Sequence, residues 1–284
     1  MKRSILYIVP ILLIAGCRSA GGSQTETIDI AYPQVEVVAV NLTTSAGQVT
    51  VDSGDAPGLH GTLTTNVEAW QAQTSSSGGT ISITQGTASA DVIPDAQNSW
   101  DLHLSKDTPL MLTHTNTAAN TTLNLGGLPM TQLSVMATSG NYSLRYATPN
   151  PQSDGGTASL QIGNGNLDAA GLINSHLSSL TVTTNGGNIQ MTFDGGALAQ
   201  TMNVRIDTQA GDVLLKIPPS VSTQVIYRSS SGTVLETDPA YAQVNPITYT
   251  LGSGTAGDTP SLSIEIRTAG SARSAAGGSI TSVA

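Results

Sequence analysis

Apolar and polar residues alternate with a period of two along most of the chain. Val35-Glu-Val37, Val49-Thr-Val51, Ile81-Ser-Ile83, Leu102-His-Leu104, Leu123-Asn-Leu125, Leu133-Ser-Val135 and Leu180-Thr-Val182 each put every second side chain on one face. Ile189-Gln-Met191, Val204-Arg-Ile206, Val213-Leu-Leu215 and Leu262-Ser-Ile264-Glu-Ile266 do the same. Neighbouring residues of a strand point to opposite sides of its sheet, so the pattern predicts half-buried strands. It also sets a register: Leu133, Val135, Leu180, Val182, Val204 and Ile206 point inward, while Ser134, Thr181 and Arg205 point out. No 3.6 period is convincing beyond the first residues. The fold class is all-β, with little or no helix.

The turns repeat too. A small residue and a glycine precede a short polar residue and then an apolar strand start. This holds at Ala46-Gly47-Gln48-Val49, Gly78-Gly79-Thr80-Ile81, Ser139-Gly140-Asn141-Tyr142 and Asn164-Gly165-Asn166-Leu167. Gly186-Gly187-Asn188-Ile189, Ala210-Gly211-Asp212-Val213 and Ser231-Gly232-Thr233-Val234 continue it. Glycines 140, 165, 187, 211 and 232 are spaced by 25, 22, 24 and 21 residues. A near-constant period with two strands per unit predicts a β-solenoid, in which stacked coils bury what one coil cannot. Glycine suits a corner that needs positive φ. A sandwich of hairpins is the alternative, but its strands recur at shorter intervals with less regular turns.

The N-terminus reads as an address rather than as fold. Lys2 and Arg3 precede an apolar run over residues 5–14, and Ile14-Ala15-Gly16-Cys17 matches a bacterial lipobox. The run is shorter than the roughly 20 residues a spanning helix needs. Residues 1–16 are thus expected to be a lipoprotein signal peptide, with Cys17 the lipidated residue and 17–33 a flexible tether rich in Ser, Gly and Gln. Two or more acyl chains give stable membrane anchoring. Arg18 is not the aspartate that often retains lipoproteins at an inner membrane, which favours the outer membrane in a cell that has two. Beyond the tether, the expected division is an N-terminal β segment at 34–110, repeated coils at 111–272 and a Ser/Ala/Gly-rich tail at 273–284.

Composition narrows the chemistry. Cys17 is the one cysteine, so the mature chain has no thiol for disulfides, zinc thiolates or cysteine catalysis. Without Lys2 and Arg3, eight basic residues face 19 acidic ones, which disfavours nucleic acid as a partner. Charged residues are only 10% of the chain, so Thr, Ser, Asn and Gln supply its outward polarity.

From about residue 35 to 272 the order of motifs resembles the bacterial toast-rack family, related to cell-wall-active antibiotic-response and "putative adhesin" domains. Val38-Ala-Val40-Asn-Leu-Thr-Thr-Ser-Ala46-Gly47-Gln-Val49 resembles the first strand pair and its corner. Gly61-Thr-Leu-Thr-Thr-Asn66-Val67 with Trp70 resembles the second segment, and Trp100-Asp-Leu102-His-Leu104 before Pro109-Leu110 the Trp-x-Leu-x-Leu strand. Leu123-Asn-Leu125-Gly-Gly-Leu128-Pro-Met-Thr-Gln-Leu133-Ser-Val135 is the most specific match, and Ile264-Glu-Ile266-Arg-Thr-Ala-Gly270-Ser271 resembles the ending. The resemblance implies stacked β-coils, an extracytoplasmic or membrane-linked setting, and envelope sensing or surface attachment. It supplies no catalytic residues.

Catalytic and metal motifs are not visible in the spacing. His60, His103, His114 and His176 lie far apart, without metal-ligand intervals. Asp101 and His103 share the polar face of one strand; a catalytic or metal pair is the minor reading, and the favoured one is the solvated side of a strand whose core face is Trp100, Leu102 and Leu104. Asp168, Asp194, Asp207 and Asp212 are the carboxylates that a carbohydrate-active β-helix enzyme could use, but they do not share one register. Asp212 sits in a glycine corner, where a short side chain caps its own backbone. Gly163-Asn-Gly165 lacks the lysine or helix of a phosphate loop. Trp70 and Trp100 are expected in the core rather than stacked on sugars. No catalytic residue, cofactor or metal is therefore assigned. The reading is a non-enzymatic, envelope-anchored module for binding, adhesion or sensing, whose partner is an envelope glycan or protein. A purely structural protein and a carbohydrate-active enzyme are the rivals.

Overall fold

The computed structural model describes residues 21–87, 93, 95–152, 155–230, 235–252 and 260–269, and the backbone of 279–282. Cys17 and its leader, the corner at 231–234 and residues 270–271 lie outside the described residues. The N-terminal strands are β1 (Gln24–Ile30), β2 (Val38–Gly54), β3 (Leu59–Thr65), β4 (Ala72–Ser77), β5 (Thr80–Gln85) and β6 (Asn98–Ser105). Next come β7 (Leu110–Asn124), β8 (Met130–Ser139), β9 (Tyr142–Arg145), β10 (Gly156–Asn164) and β11 (Leu167–Ala170). β12 (Leu177–Gly186), β13 (Ile189–Thr192), β14 (Met202–Thr208) and β15 (Val213–Lys216) continue the coils. The last strands are β16 (Thr223–Ser229), β17 (Glu236–Thr237), β18 (Ala242–Asn245), β19 (Thr248–Leu251), β20 (Leu262–Thr268) and β21 (Ser279–Ser282). The helical turns among the described residues are two short 3-10 segments, Glu68–Trp70 and Leu172–Ser175.

A coil consists of a longer strand, a glycine corner, a shorter strand and a return segment. The longer strands β8, β10, β12 and β14 pair in parallel, and so do the shorter strands β9, β11, β13 and β15. Hairpins would pair antiparallel, so this is a solenoid and not a sandwich. Leu112, Leu133, Ala158, Leu180, Val204, Ile264 and Val225 occupy one level of the stack, and all are buried. Tyr146, Leu172, Phe193 and Ile217 from the return segments close the third side of the core. Val204 is 3% exposed while the Arg205 side chain is 44% exposed, as the alternation predicts.

The corners are held by two ladders. Gly140, Gly165, Gly187 and Gly211 all have positive φ, and a Cβ at 165, 187 or 211 would lie 2.0–2.1 Å from the carbonyl oxygen of the glycine one coil below. Only a residue without Cβ lets the coils approach this closely. The polar residue after each glycine forms the second ladder. Asn120 Oδ1 accepts the Asn141 N–H, Asn141 the Asn166 N–H, Asn166 the Asn188 N–H and Asn188 the Asp212 N–H, at 2.8–3.0 Å. Each side chain thereby satisfies a backbone donor that the tight corner leaves free.

Several local expectations need correcting. Val35-Glu36-Val37 is not a strand: both valines are about 40% exposed, at 40% and 38%, and β2 begins at Val38 with Val38, Val40 and Leu42 inward. Val37, Val38, Ala39 and Val40 form an unbroken apolar run that allows either register, and contact with the coils selects the one with Val38 and Val40 inward. The expected tether stops short of residue 33, because β1 pairs antiparallel with β3. The tail contains β21, which pairs antiparallel with β15 and β17. β2 already belongs to the coil stack, flanked in parallel by β5, β6 and β7, so the coils start before residue 111.

The stacking order also departs from chain order. Glycines 211 and 232 suggest that β16 follows β14, yet β20 lies between them and pairs in parallel with both. The register sets Glu265 opposite Arg205 and Arg267 opposite Asp207. Glu265 also contacts Arg267 at 2.8 Å and Arg228 at 3.2 Å, and its carboxyl is held below the usual range chiefly by the hydrogen bond from Arg267. Opposite charges across neighbouring strands favour this placement of β20. At both ends antiparallel strands flank the parallel stack: β1, β3 and β4 at one, β18 and β19 at the other. The end strand β18 is only four residues long and bulges between Gln243 and Asn245, which blunts that edge.

Candidate functional site

The outer faces carry the polar side chains that could meet a partner. A shallow groove of about 540 Å³ crosses β7, β8, β10 and β12 on the face of the longer strands. Its rim is built from Thr115, Met136, Gln161 and Thr183 at one level and Thr117, Thr138 and Asn185 at another. The parallel register aligns Thr115, Met136, Gln161 and Thr183. Ala137 and Gly163 line the groove without bulk, and a Cβ at Gly163 would lie 2.3 Å from the Thr138 carbonyl oxygen. Met136 is 45% exposed, an apolar spot among hydroxyls and amides. None of the residues lining this groove is charged. Strands about 4.8 Å apart repeat these groups at a fixed interval.

A second cavity, about 460 Å³, lies at the far end between the β13 and β15 ends and the segment around Tyr241. Asp194, Lys216 and Asp238 line it together with Ile217, Pro218 and Leu251. Its carboxylates hold backbone: Asp194 Oδ1 accepts the Gly171 N–H at 2.6 Å, and Asp238 Oδ1 accepts the Ala240 N–H at 2.9 Å. The other expected carboxylates are dispersed. Asp168 pairs with Arg145 on the shorter-strand face, Asp207 pairs with Arg205 on the longer-strand face, and Asp212 sits in its corner.

The tryptophans separate. Trp100 is 1% exposed in the core and donates to Asn98 Oδ1 at 3.2 Å. Trp70 is not in the core: it ends the 3-10 turn and lines a pocket of about 320 Å³ with Gln24, Glu26 and Gln71. Leaving the strand pattern after Val67 frees its indole from the alternation that buries Trp100.

The four histidines take four environments. His60 Nδ1 lies 3.2 Å from Asp29, and its Nε2 contacts the Pro57 carbonyl oxygen. His103 Nε2 lies 3.4 Å from Asp101. His176 follows the second 3-10 turn at φ 52°, and its Nδ1 is buried without a partner among the described residues. His114 is fully buried, with Nε2 2.9 Å from the Thr44 hydroxyl and its ring 5.9 Å from that of Tyr142. Asn116 completes this core network: its amide donates to the Ala119 carbonyl and to the Tyr142 hydroxyl. The network lies where coil interiors meet the corner, at positions the alternation assigns to apolar residues.

Burial pushes the His114 imidazole from 6.5 down to about 4. The unfolded chain takes up a proton below its own value of about 6.5, while the folded protein excludes it until about 4. This group's contribution to stability is therefore complete above the upper value, falls as the pH drops through the window and is constant below it. The loss across the window is expected to be about 3 kcal/mol, at about 1.4 kcal/mol per pKa unit. Urea unfolding measured from pH 7 to 4 checks this. His114→Gln should flatten the slope, and an unchanged slope would assign it to other groups.

Residues 19–167 match the family described as the N-terminal domain of toast_rack, DUF2154. The chain belongs to the toast-rack family. Among solved structures, the toast-rack protein is similar to a "putative cell adhesion protein" from Clostridium sporogenes at 10% identity, over 87% of this chain and 95% of that one, with a TM-score of 0.46. A "putative adhesin" from Bacteroides fragilis shares 11% identity over 89% of this chain and 100% of that one, with a TM-score of 0.36. A "putative lipid binding protein" from Parabacteroides distasonis shares 12% identity over 88% and 96% of the two chains, with a TM-score of 0.30. No curated protein matches it. Among the described residues no helix is long and apolar enough to cross a membrane.

Proposed function

We propose that this toast-rack protein is a non-enzymatic envelope lipoprotein, acylated on Cys17, that binds a neutral glycan polymer along the longer-strand face. One observation carries the reading: the groove of about 540 Å³ repeats hydroxyl and amide side chains over four stacked strands and is lined by no charged residue. A repeating polar surface suits a repeating ligand, and Met136 offers apolar contact to the C–H face of a sugar ring. The missing charge favours a neutral polymer over an acidic or basic one. In a cell with two membranes the outer one is the favoured location, on the identity of Arg18. A purely structural role would need no such groove.

Pull-down of the full-length, detergent-solubilised protein on insoluble neutral glycans tests the reading. Met136 and Gln161 are both exposed, so a Met136→Ala, Gln161→Ala double variant should keep its melting temperature. Loss of one apolar contact and one hydrogen bond should weaken retention about tenfold. Equal retention would remove the groove from the proposal. In the same cells Cys17→Ser should abolish palmitate labelling and leave the precursor uncleaved; equal labelling would overturn the anchor.

A further inference from the structure

On the shorter-strand face, the fold assembles a group that spacing along the chain conceals. In the parallel pairing of β2 with β6, Asp52 is the partner of His103 and Thr50 the partner of Asp101. Asp101 and His103 sit two residues apart and both point outward, away from buried Trp100, Leu102 and Leu104. One ligand atom from each of Asp52, Asp101 and His103 lies within 4.8 Å of the other two. We propose that these three side chains bind a zinc-class divalent cation.

Geometry, charge and donor type support this independently. A tetrahedral ion with bonds of about 2.0–2.1 Å separates its ligands by about 3.3–3.4 Å. His103 Nε2 and Asp101 Oδ1 already stand at 3.4 Å. The remaining edges close by rotation of side chains that reach solvent, on two strands held in fixed register. Two carboxylates converge here, and among the described residues neither forms an ion pair with lysine or arginine; Asp101 pairs only with His103. Like charges at this range repel unless a cation lies between them. Asn124 donates to Asp52 Oδ1 at 2.5 Å, which orients that carboxylate as an outer-sphere partner does. The imidazole selects the metal: zinc-class ions take nitrogen together with carboxylate oxygen, whereas calcium takes six to eight oxygens. Three protein ligands on an open face leave the fourth position to water. His60 lies opposite His103 in the β3–β6 pair, but its two nitrogens are engaged by Asp29 and by the Pro57 carbonyl.

Calorimetric titration of the full-length protein in detergent with zinc chloride, and separately with calcium chloride, tests the assignment. One saturable zinc site is expected, with calcium weaker. His103→Gln and Asp52→Asn should each weaken zinc by about tenfold or more, and His60→Gln should leave it unchanged. Because all these residues reach solvent, the metal-free variants should melt with the wild type, and zinc should raise the melting temperature of the wild type but not of His103→Gln. Absence of saturable zinc binding, unchanged affinity in His103→Gln, loss in His60→Gln alone, or calcium binding as tight as zinc would each overturn the proposal.

Discussion

Val204→Asp is expected to unfold the solenoid, whereas Arg205→Asp, one residue further along the same strand, is expected to leave it folded. Val204 sits at 3% exposure between Leu180 of β12 and Ile264 of β20. A carboxylate there has no partner in the stacked apolar level and must stay buried and charged or take up a proton. Burying it costs on the order of 4–5 kcal/mol or more, against a total stability of roughly 5–15 kcal/mol for a domain. The coils share one core, so the loss is not confined to β14. Arg205 faces solvent, paired with Asp207 at 2.7 Å and with Glu265 at 3.8 Å. Reversing its charge sets three carboxylates side by side and loosens β20, by an amount that salt should shrink. Urea unfolding of both variants at low and high salt separates the two effects. A more damaging Arg205→Asp would mean that the cross-strand ion pairs, and not the apolar levels, hold β20 in place.

Gly187→Val should be the next most damaging change. Gly187 has φ +115°, and an added Cβ would stand 2.1 Å from the Gly165 carbonyl oxygen. Backbone strain at such a conformation costs about 1–3 kcal/mol, and forcing the coils apart adds about 1–3 kcal/mol more. Alanine there carries the same Cβ and should destabilise similarly, which separates the contact from side-chain size. Ser134→Val, at an outward strand position, is the control and should stay within about 0.5 kcal/mol. Melting temperatures of the three variants decide it. If Gly187→Val matched Ser134→Val, the corner would have to relax in a way the glycine ladder does not allow.

Both results concern features that are legible in sequence because they repeat. Alternation fixes which residues of a strand face inward, since adjacent side chains point to opposite sides, and the glycine period marks where each coil turns. The corner at Ala119 escaped that reading because it carries alanine in place of glycine. Asn120 beside it, the first step of the asparagine ladder, was the signal that could have found it. His114 escaped because buried polar groups are specified by partners, here Thr44 and Tyr142, that lie far away along the chain.

What the sequence determined by itself is therefore local and periodic: the all-β class, the inward levels of the strands, and the glycine corners of the stack. Tertiary structure alone decided which strands become neighbours. Period and alternation describe one coil and are the same for every coil, so they cannot say that β20 enters between β14 and β16. That choice is made by particular side chains that meet only in the folded chain: Ile264 fills the buried level between Val204 and Val225, and Glu265 stands opposite Arg205 on the outer face. The same holds for the groove from Thr115 to Asn185 and for Asp52 beside His103, because each is made of residues that share a level only once the coils are stacked.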